Sequence, residues 1–193
     1  ERLGDVIRLA YALLLPINMT LLFFPEPLLR LIDPEYLAAA TPLRIFIASN
    51  IVLLMMGLIA THIYASGNYR YTLLLNTSTS ITRVTLYTLL TPLYGATGAA
   101  TAFLAGTITL SALAAPHIRG TRIPWSKIAL SLTAVAALGT ALRYLASHHL
   151  TMIVIAVSFL LLAYLTNLAL KLLKRTELIQ LLKTVIHSSS RSP

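Results

Sequence analysis

The amino-acid sequence predicts an all-α, polytopic transmembrane helical bundle with six spans, and three observations predict it. Of its 193 residues, 57% are hydrophobic and only 11% are charged, whereas about a quarter of the residues in a soluble domain are charged. Apolar runs recur at the length of roughly 20 residues that a helix needs to cross the bilayer core. Their polarity does not alternate, as it would in the strands of a transmembrane barrel.

Turn residues, charges and prolines separate the six predicted spans, which lie at about 9–24, 45–65, 71–94, 96–115, 128–146 and 150–170. After the first span, prolines and acids in FFPEPLLRLIDPEY end the helix, and the leucines indicate a short interfacial piece. SGNYR predicts a tight turn before the third span, and HIRGTRIPWSK is a short basic loop before the fifth. Residues 1–173 thus form the predicted bundle, and 174–193 are predicted to be a cytoplasmic amphipathic tail.

The net charge of +9 is concentrated at the ends of the spans. Eleven basic residues fall on the side that holds both termini: Arg2, Arg8, Arg70, Arg119, Arg122, Lys127, Lys171, Lys174, Arg175, Lys183 and Arg191. The other side has Arg30, Arg44 and Arg143, together with Glu26, Asp33 and Glu35. This bias predicts that both termini lie in the cytoplasm. We expect a multi-pass protein of the cell (plasma) membrane. The positive charge then contacts the lipid bilayer and is not a nucleic-acid footprint.

Several kinds of chemistry are disfavoured by what the sequence lacks. It has no cysteine, no histidine at metal-ligand spacing from a second ligand, and no acid in the middle of a span. We therefore expect no catalytic residue, no metal site, no cofactor and no enzyme activity. The chain begins with Glu1, and we expect it to be the C-terminal piece of a longer protein.

The stretch YGATGAATAF, residues 94–103, contains almost only small side chains. On a helix, Gly98, Ala102 and Gly106 recur every fourth residue, and Gly95 lies beside them. Lipid gives little hydrophobic drive for helices to associate, so small residues that permit close backbone approach favour packing. These four residues are predicted to pack helices, with a tight hairpin at Tyr94 and Gly95.

Arg83 is the single formal charge near the middle of a predicted span, and polar residues share its face. Thr72, Asn76, Thr79, Ser80, Arg83 and Tyr87 fall within an arc of about 100°. Because a cation inside a bilayer is costly, we expect it to face a partner or a water-filled cavity. One interpretation is a cationic lining for an anionic cargo such as a phosphate; the alternative is an arginine that bonds neighbouring carbonyls and fixes packing. Asn50 in the second span is a further cavity candidate, or an interhelical hydrogen-bonding group.

Three motifs in residues 25–102 carry a family resemblance. Glu35-Tyr36 precedes an Ala-rich helix entry, an A-x-G turn at Ala65 and Gly67 precedes Arg70, and a YG-x-x-G-A-A-x-A hairpin begins at Tyr94. In their order and spacing these motifs resemble the polysaccharide biosynthesis proteins, or oligosaccharide flippases, of the multidrug/oligosaccharidyl-lipid/polysaccharide exporter superfamily. Asp33-Pro34 departs from the pattern, since many relatives carry a glycine before the acidic-aromatic pair.

The resemblance implies the C-terminal six-helix portion of a two-lobe flippase that moves lipid-linked oligosaccharide or polysaccharide precursors by alternating access. Its partners would be the lipid bilayer, a lipid-linked anionic sugar and the missing N-terminal lobe of the same protein. Two alternatives stay open. A cation-coupled multidrug exporter of the same superfamily usually carries an acid inside a span, and a non-transporting membrane scaffold subunit has little reason to keep an unpaired charge.

Overall fold

The computed structural model describes residues 2–118, 125–145 and 149–169, and every regular element in these ranges is helical. The elements are α1 (Arg2–Phe23), α2 (Pro25–Ile32), α3 (Ala40–Ala65), α4 (Tyr69–Ala114), α5 (Trp125–Leu145) and α6 (His149–Ala169), with 3₁₀ segments at Pro34–Ala39 and Ala115–Ile118. The predicted all-α fold is confirmed. The predicted tail at 174–193 and loop residues 119–124 lie outside the described residues.

Four segments within the described ranges are long and apolar enough to cross a membrane: Val6–Phe23, Pro34–Ala65, Tyr69–His117 and Met152–Ala169. Such helices are the mark of a membrane protein. The third segment contains both predicted spans 71–94 and 96–115, and α5, which corresponds to the predicted fifth span, is not among the four. The count of six spans therefore stays a prediction.

Glycine at position 95 folds α4 back on itself. Its backbone has φ 56° and ψ −134°, a left-handed conformation that glycine adopts without the penalty of a Cβ atom. It divides α4 into a first arm, residues 69–94, and a second arm, residues 96–114. The arms run antiparallel. At the open end of the hairpin, Tyr71 Oη of the first arm donates a hydrogen bond to Leu113 O of the second at 2.6 Å. A helical hairpin thus forms at the small-residue stretch.

Helix α1 lies at the centre of the packing, against α3 on one side and against α5 and α6 on another, while α4 packs on α3. Polar contacts cross these interfaces in the apolar core. Tyr11 Oη donates to Ile51 O at 2.7 Å. Ser131 Oγ donates to Asn167 Oδ1 at 2.6 Å, and Asn167 Nδ2 donates to Ala12 O at 3.0 Å. These bonds connect α3 and α6 to α1, and α5 to α6. Helix α4 is joined to the rest mainly through α3.

A charged cluster lies where α1 ends and α3 begins. Glu26 forms ion pairs with Arg44 and, at 3.0 Å, with Arg143, which also donates to Phe23 O. Burial by itself would raise the pKa of the Glu26 carboxyl, but the Arg143 hydrogen bond and the two positive charges outweigh it and lower the pKa. Glu26, Arg44 and Arg143 thus lie together at one end of the bundle.

Candidate anion-binding groove

A groove between α3 and the first arm of α4 collects most of the predicted cavity residues. It has a volume of about 480 Å³. Its lining includes Thr72, Asn76, Thr79, Ser80 and Arg83 from the first arm, Leu53, Gly57, Ala60, Thr61 and Tyr64 from α3, and Leu110 from the second arm. The first-arm residues meet there because their spacing of three and four places them on one helical face. We call this space the polar groove.

The side chain of Arg83 extends from the first arm toward the second. Its guanidinium carbon lies 4.3 Å from the centroid of the Phe103 ring, a distance typical of a cation–π contact. Its Nη2 donates a long hydrogen bond of 3.4 Å to Thr107 Oγ1. Its Nε is buried and has no hydrogen-bond partner among the described residues. The cation is therefore held mainly by an aromatic face.

Thr79 contributes a second buried polar atom without a partner. It is only 6% exposed, and its Oγ1 forms no hydrogen bond within the described structure. A buried hydroxyl without a partner costs about 1–3 kcal/mol. Thr79 and Arg83 both line the polar groove, one helical turn apart. Two residues that line the groove therefore each hold a buried polar atom without a partner among the described residues.

Gly106 makes room for the arginine. A Cβ atom at this position would lie 2.6 Å from Arg83 Nε and 2.9 Å from Arg83 Cδ. Gly98 serves a different contact, since a Cβ atom there would overlap the carbonyl oxygen of Leu90 and lie 3.1 Å from Thr91 N. Within the predicted packing set, Gly98 thus permits backbone approach between the arms, whereas Gly106 accommodates a side chain. Ala102 is fully buried, and Gly95 forms the turn.

Two predicted cavity residues lie outside the polar groove. Tyr87 lines a second cavity of about 420 Å³, next to the turn at Gly95 where the two arms of α4 meet. Asn50 is half-buried in α3 and lines neither of these two cavities. The groove also contains Thr61 and Tyr64, which the sequence reasoning did not select as cavity residues.

No acidic side chain is among the residues that line the polar groove in the described helices. Arg83 thus contributes an uncompensated positive charge there. The surrounding hydroxyl and amide groups are neutral donors and acceptors, which suit the oxygens of a phosphate or a sugar. The arrangement can bind an anion with polar substituents, and it has no nucleophile paired with a base.

Comparisons with known proteins add no relative to this geometry: no family model, curated protein or solved structure matches the chain.

Proposed function

We propose that this chain is part of a membrane flippase that moves lipid-linked oligosaccharide or polysaccharide precursors across the cell membrane by alternating access. The observation that carries the proposal is Arg83 in the polar groove, with its Nε and the Thr79 hydroxyl buried and without partners among the described residues. The sequence motifs at Glu35-Tyr36 and Tyr94-Gly95 support the same assignment by resemblance to oligosaccharide flippases.

The chemistry of the polar groove favours a phosphate-bearing ligand. A guanidinium presents five N–H donors in a planar fork that fits phosphate oxygens. One arginine without an acidic neighbour attracts an anion. A cation-coupled exporter usually carries a carboxylate inside a span, and none lines the groove in the described helices. A scaffold subunit would gain nothing from a groove of about 480 Å³ that holds a costly charge.

The test is the flipping of a lipid-linked sugar in vesicles that contain the complete protein, normalised to folded protein. Arg83→Ala should reduce the rate by more than about tenfold, since a charged hydrogen bond contributes about 1.5–3 kcal/mol. Arg83→Lys keeps the charge but loses the fork, so the rate should fall less. Arg70→Ala removes the same charge from an exposed position at the start of α4 and is the matched control. Full activity of Arg83→Ala would overturn the proposal.

The proposed location is the plasma membrane, with several passes and both termini in the cytoplasm. Single cysteines introduced at positions 35 and 122 of this Cys-free chain test the orientation with an impermeant thiol reagent applied to intact cells. Position 35 should be labelled and position 122 protected, because the basic side of a multi-pass protein stays in the cytoplasm. The opposite pattern would reverse the topology.

A further inference from the structure

The second cavity has the opposite chemistry to the polar groove. It has a volume of about 420 Å³ and lies between the start of α3, α2 and the two arms of α4 near Gly95. Phe46, Ala96, Ala99 and Ala100 contribute to its lining, and Tyr87 supplies the single side-chain hydroxyl among its lining residues. We call this space the apolar cavity. Nothing in its lining, as the described residues define it, carries a charge.

The ring of Phe103 lies between a residue that lines the polar groove and a residue that lines the apolar cavity. Arg83, which lines the polar groove, lies against the ring of Phe103 at 4.3 Å. On the other side, the Phe103 ring centroid is 4.7 Å from that of Phe46, which lines the apolar cavity. Tyr87 follows Arg83 by four residues, a rise of about 6 Å along the first arm. The positive charge is therefore located at the boundary between a polar and an apolar space.

The polar side of this boundary continues away from Arg83 in one direction. Ser80, Asn76 and Thr72 follow at intervals of three or four residues, so the strip extends about 16 Å along the helix. Tyr64 of α3 lies at the same end of the groove, near the Ser66–Asn68 turn. In the other direction from Arg83 the polar residues end at Tyr87, where the apolar cavity begins.

On the basis of the proposed function, we propose that the site holds an amphipathic anion in one fixed orientation. The phosphate group contacts Arg83 and Thr79, the attached sugar lies along Ser80, Asn76 and Thr72, and the hydrocarbon chain passes Phe103 into the apolar cavity. The apolar cavity is thus a binding site for the isoprenoid-type chain of the same ligand.

The cost of the reversed orientation supports this assignment. A hydrocarbon chain in the polar groove would cover the Asn76 amide and the Ser80 hydroxyl, both of which are exposed, without bonding to them. Sugar hydroxyls in the apolar cavity would find one side-chain hydroxyl, that of Tyr87. Each buried polar group left without a partner costs about 1–3 kcal/mol. In the reversed orientation, the summed cost of the unpartnered groups in the groove and on the sugar exceeds the free energy that one phosphate contact contributes. The ligand therefore binds in one orientation.

The experiment measures binding of two half-ligands to the full-length protein in nanodiscs. One is a short prenyl diphosphate without sugar, and the other is a sugar diphosphate without lipid. Ala99→Phe fills the apolar cavity and should lower the affinity for the prenyl diphosphate about tenfold. The affinity for the sugar diphosphate should stay within about twofold of the wild type. Asn76→Leu should show the reverse, because it removes hydrogen bonds to the sugar. Arg83→Ala should weaken both.

Matched controls separate these effects from misfolding. Ile108→Phe adds the same side chain at an exposed position of the second arm that lines neither space, and Thr77→Leu is adjacent to Asn76 and also lines neither. Both controls should bind both half-ligands like the wild type. If Ala99→Phe does not fold, Ala96→Phe fills the same cavity from an exposed position.

Each outcome has one meaning. If Ala99→Phe and Asn76→Leu exchange their effects, the orientation is the opposite one. If Arg83→Ala weakens both half-ligands while filling the apolar cavity changes neither, ordinary membrane lipid occupies that cavity, and this inference fails while the proposed function survives. If Arg83→Ala changes neither half-ligand, the groove does not bind diphosphates and the proposed function fails with it.

Discussion

The guanidinium carbon of Arg83 lies 4.3 Å from the centroid of the Phe103 ring, across the hairpin of α4. An aromatic face attracts a cation by about 0.5–2 kcal/mol, whereas breaking a buried ion pair costs about 3–5 kcal/mol. An arginine held in this way can leave its position at little cost. That property suits the proposed function, in which the site binds an anion and releases it on the other side of the membrane.

The first prediction measures the energy of this contact. In a double-mutant cycle, Arg83→Ala and Phe103→Leu should show a coupling of about 1 kcal/mol in the free energy of unfolding. Unfolding is followed in mild detergent by a thermal or denaturant assay. The control pair is Arg83→Ala with Phe159→Leu, since Phe159 packs against Phe23 and Phe24 in a different part of the core. Additive effects for Arg83 and Phe103 would show that the ring supplies no attraction.

The second prediction concerns the close approach of the two arms at Gly98. Gly98→Ala places a methyl group against the backbone carbonyl of Leu90, which cannot move without distorting the first arm. We expect a loss of about 2 kcal/mol in the free energy of unfolding, as for other overpacked sites.

Gly57→Ala is the matched control for this substitution. A Cβ atom there meets nothing within 4 Å, and alanine is favoured over glycine in a helix by about 0.5–1 kcal/mol. The control should therefore be neutral or slightly more stable than the wild type. Equal stability of the two alanine variants would show that the arms have room to separate.

The hairpin and the polar face were accessible from the sequence because both follow from local patterns. A spacing of three and four puts Thr72, Asn76 and Ser80 on the face of Arg83 whatever the rest of the chain does. The partners of Arg83 were not predicted, although a signal was present. Arg83 is twelve residues before Gly95 and Thr107 is twelve residues after it, so an antiparallel hairpin that turns at Gly95 brings them together.

The positions of the remaining residues depend on contacts between helices, which local sequence patterns do not show. Tyr87 shares the face of Arg83, but α2 and the start of α3 cover that end of the first arm, so Tyr87 lines the apolar cavity. The sequence placed Glu26, Arg44 and Arg143 on one side of the membrane without pairing them, because three acids and three arginines there allow many pairings. Asn167 gave no sequence signal, since a single amide in a long apolar helix shows its partners only when α1 and α5 are packed against it.

The third prediction is a dependence of stability on pH through Glu26. Its pKa is lowered in the folded protein, so its contribution is fully present above the ordinary carboxyl pKa of about 4.5 and is lost as the pH falls through the folded value. Glu26→Gln should lower the free energy of unfolding at pH 7 by on the order of 1 kcal/mol, because the arginines are partly exposed. The difference from the wild type should shrink toward zero as the pH falls through the lowered pKa of Glu26.

Glu35→Gln serves as the control for Glu26, since it makes the same change at an exposed position of the neighbouring 3₁₀ segment. The free energy of unfolding of Glu35→Gln should match that of the wild type from pH 7 to pH 3. A constant difference between Glu26→Gln and the wild type from pH 7 to pH 3 would show that the charge of Glu26 does not carry the interaction.

The fourth prediction separates the role of Gly106 from that of Gly98. A methyl group at position 106 meets the Cγ, Cδ and Nε atoms of Arg83, all of which belong to a flexible side chain that can move aside. Displacing the guanidinium loses a cation–π contact of about 1 kcal/mol, whereas alanine is favoured over glycine in a helix by about 0.5–1 kcal/mol. Because these two effects oppose each other, Gly106→Ala should keep the free energy of unfolding within about 0.5 kcal/mol of the wild type. It should reduce flipping of the lipid-linked sugar about fivefold, equivalent to ~1 kcal/mol in the barrier, because the guanidinium is displaced from Phe103 and Thr107.

The decisive measurement for Gly106 is the same substitution in an Arg83→Ala background. With the arginine removed, the added methyl group occupies vacated space, and Gly106→Ala should cause no further loss of flipping or stability. The two substitutions are then strongly non-additive, as expected of residues in direct contact. If Gly106→Ala lowers stability equally in both backgrounds, the glycine is required for contact between the arms themselves. In that case its effect on transport says nothing about the position of Arg83.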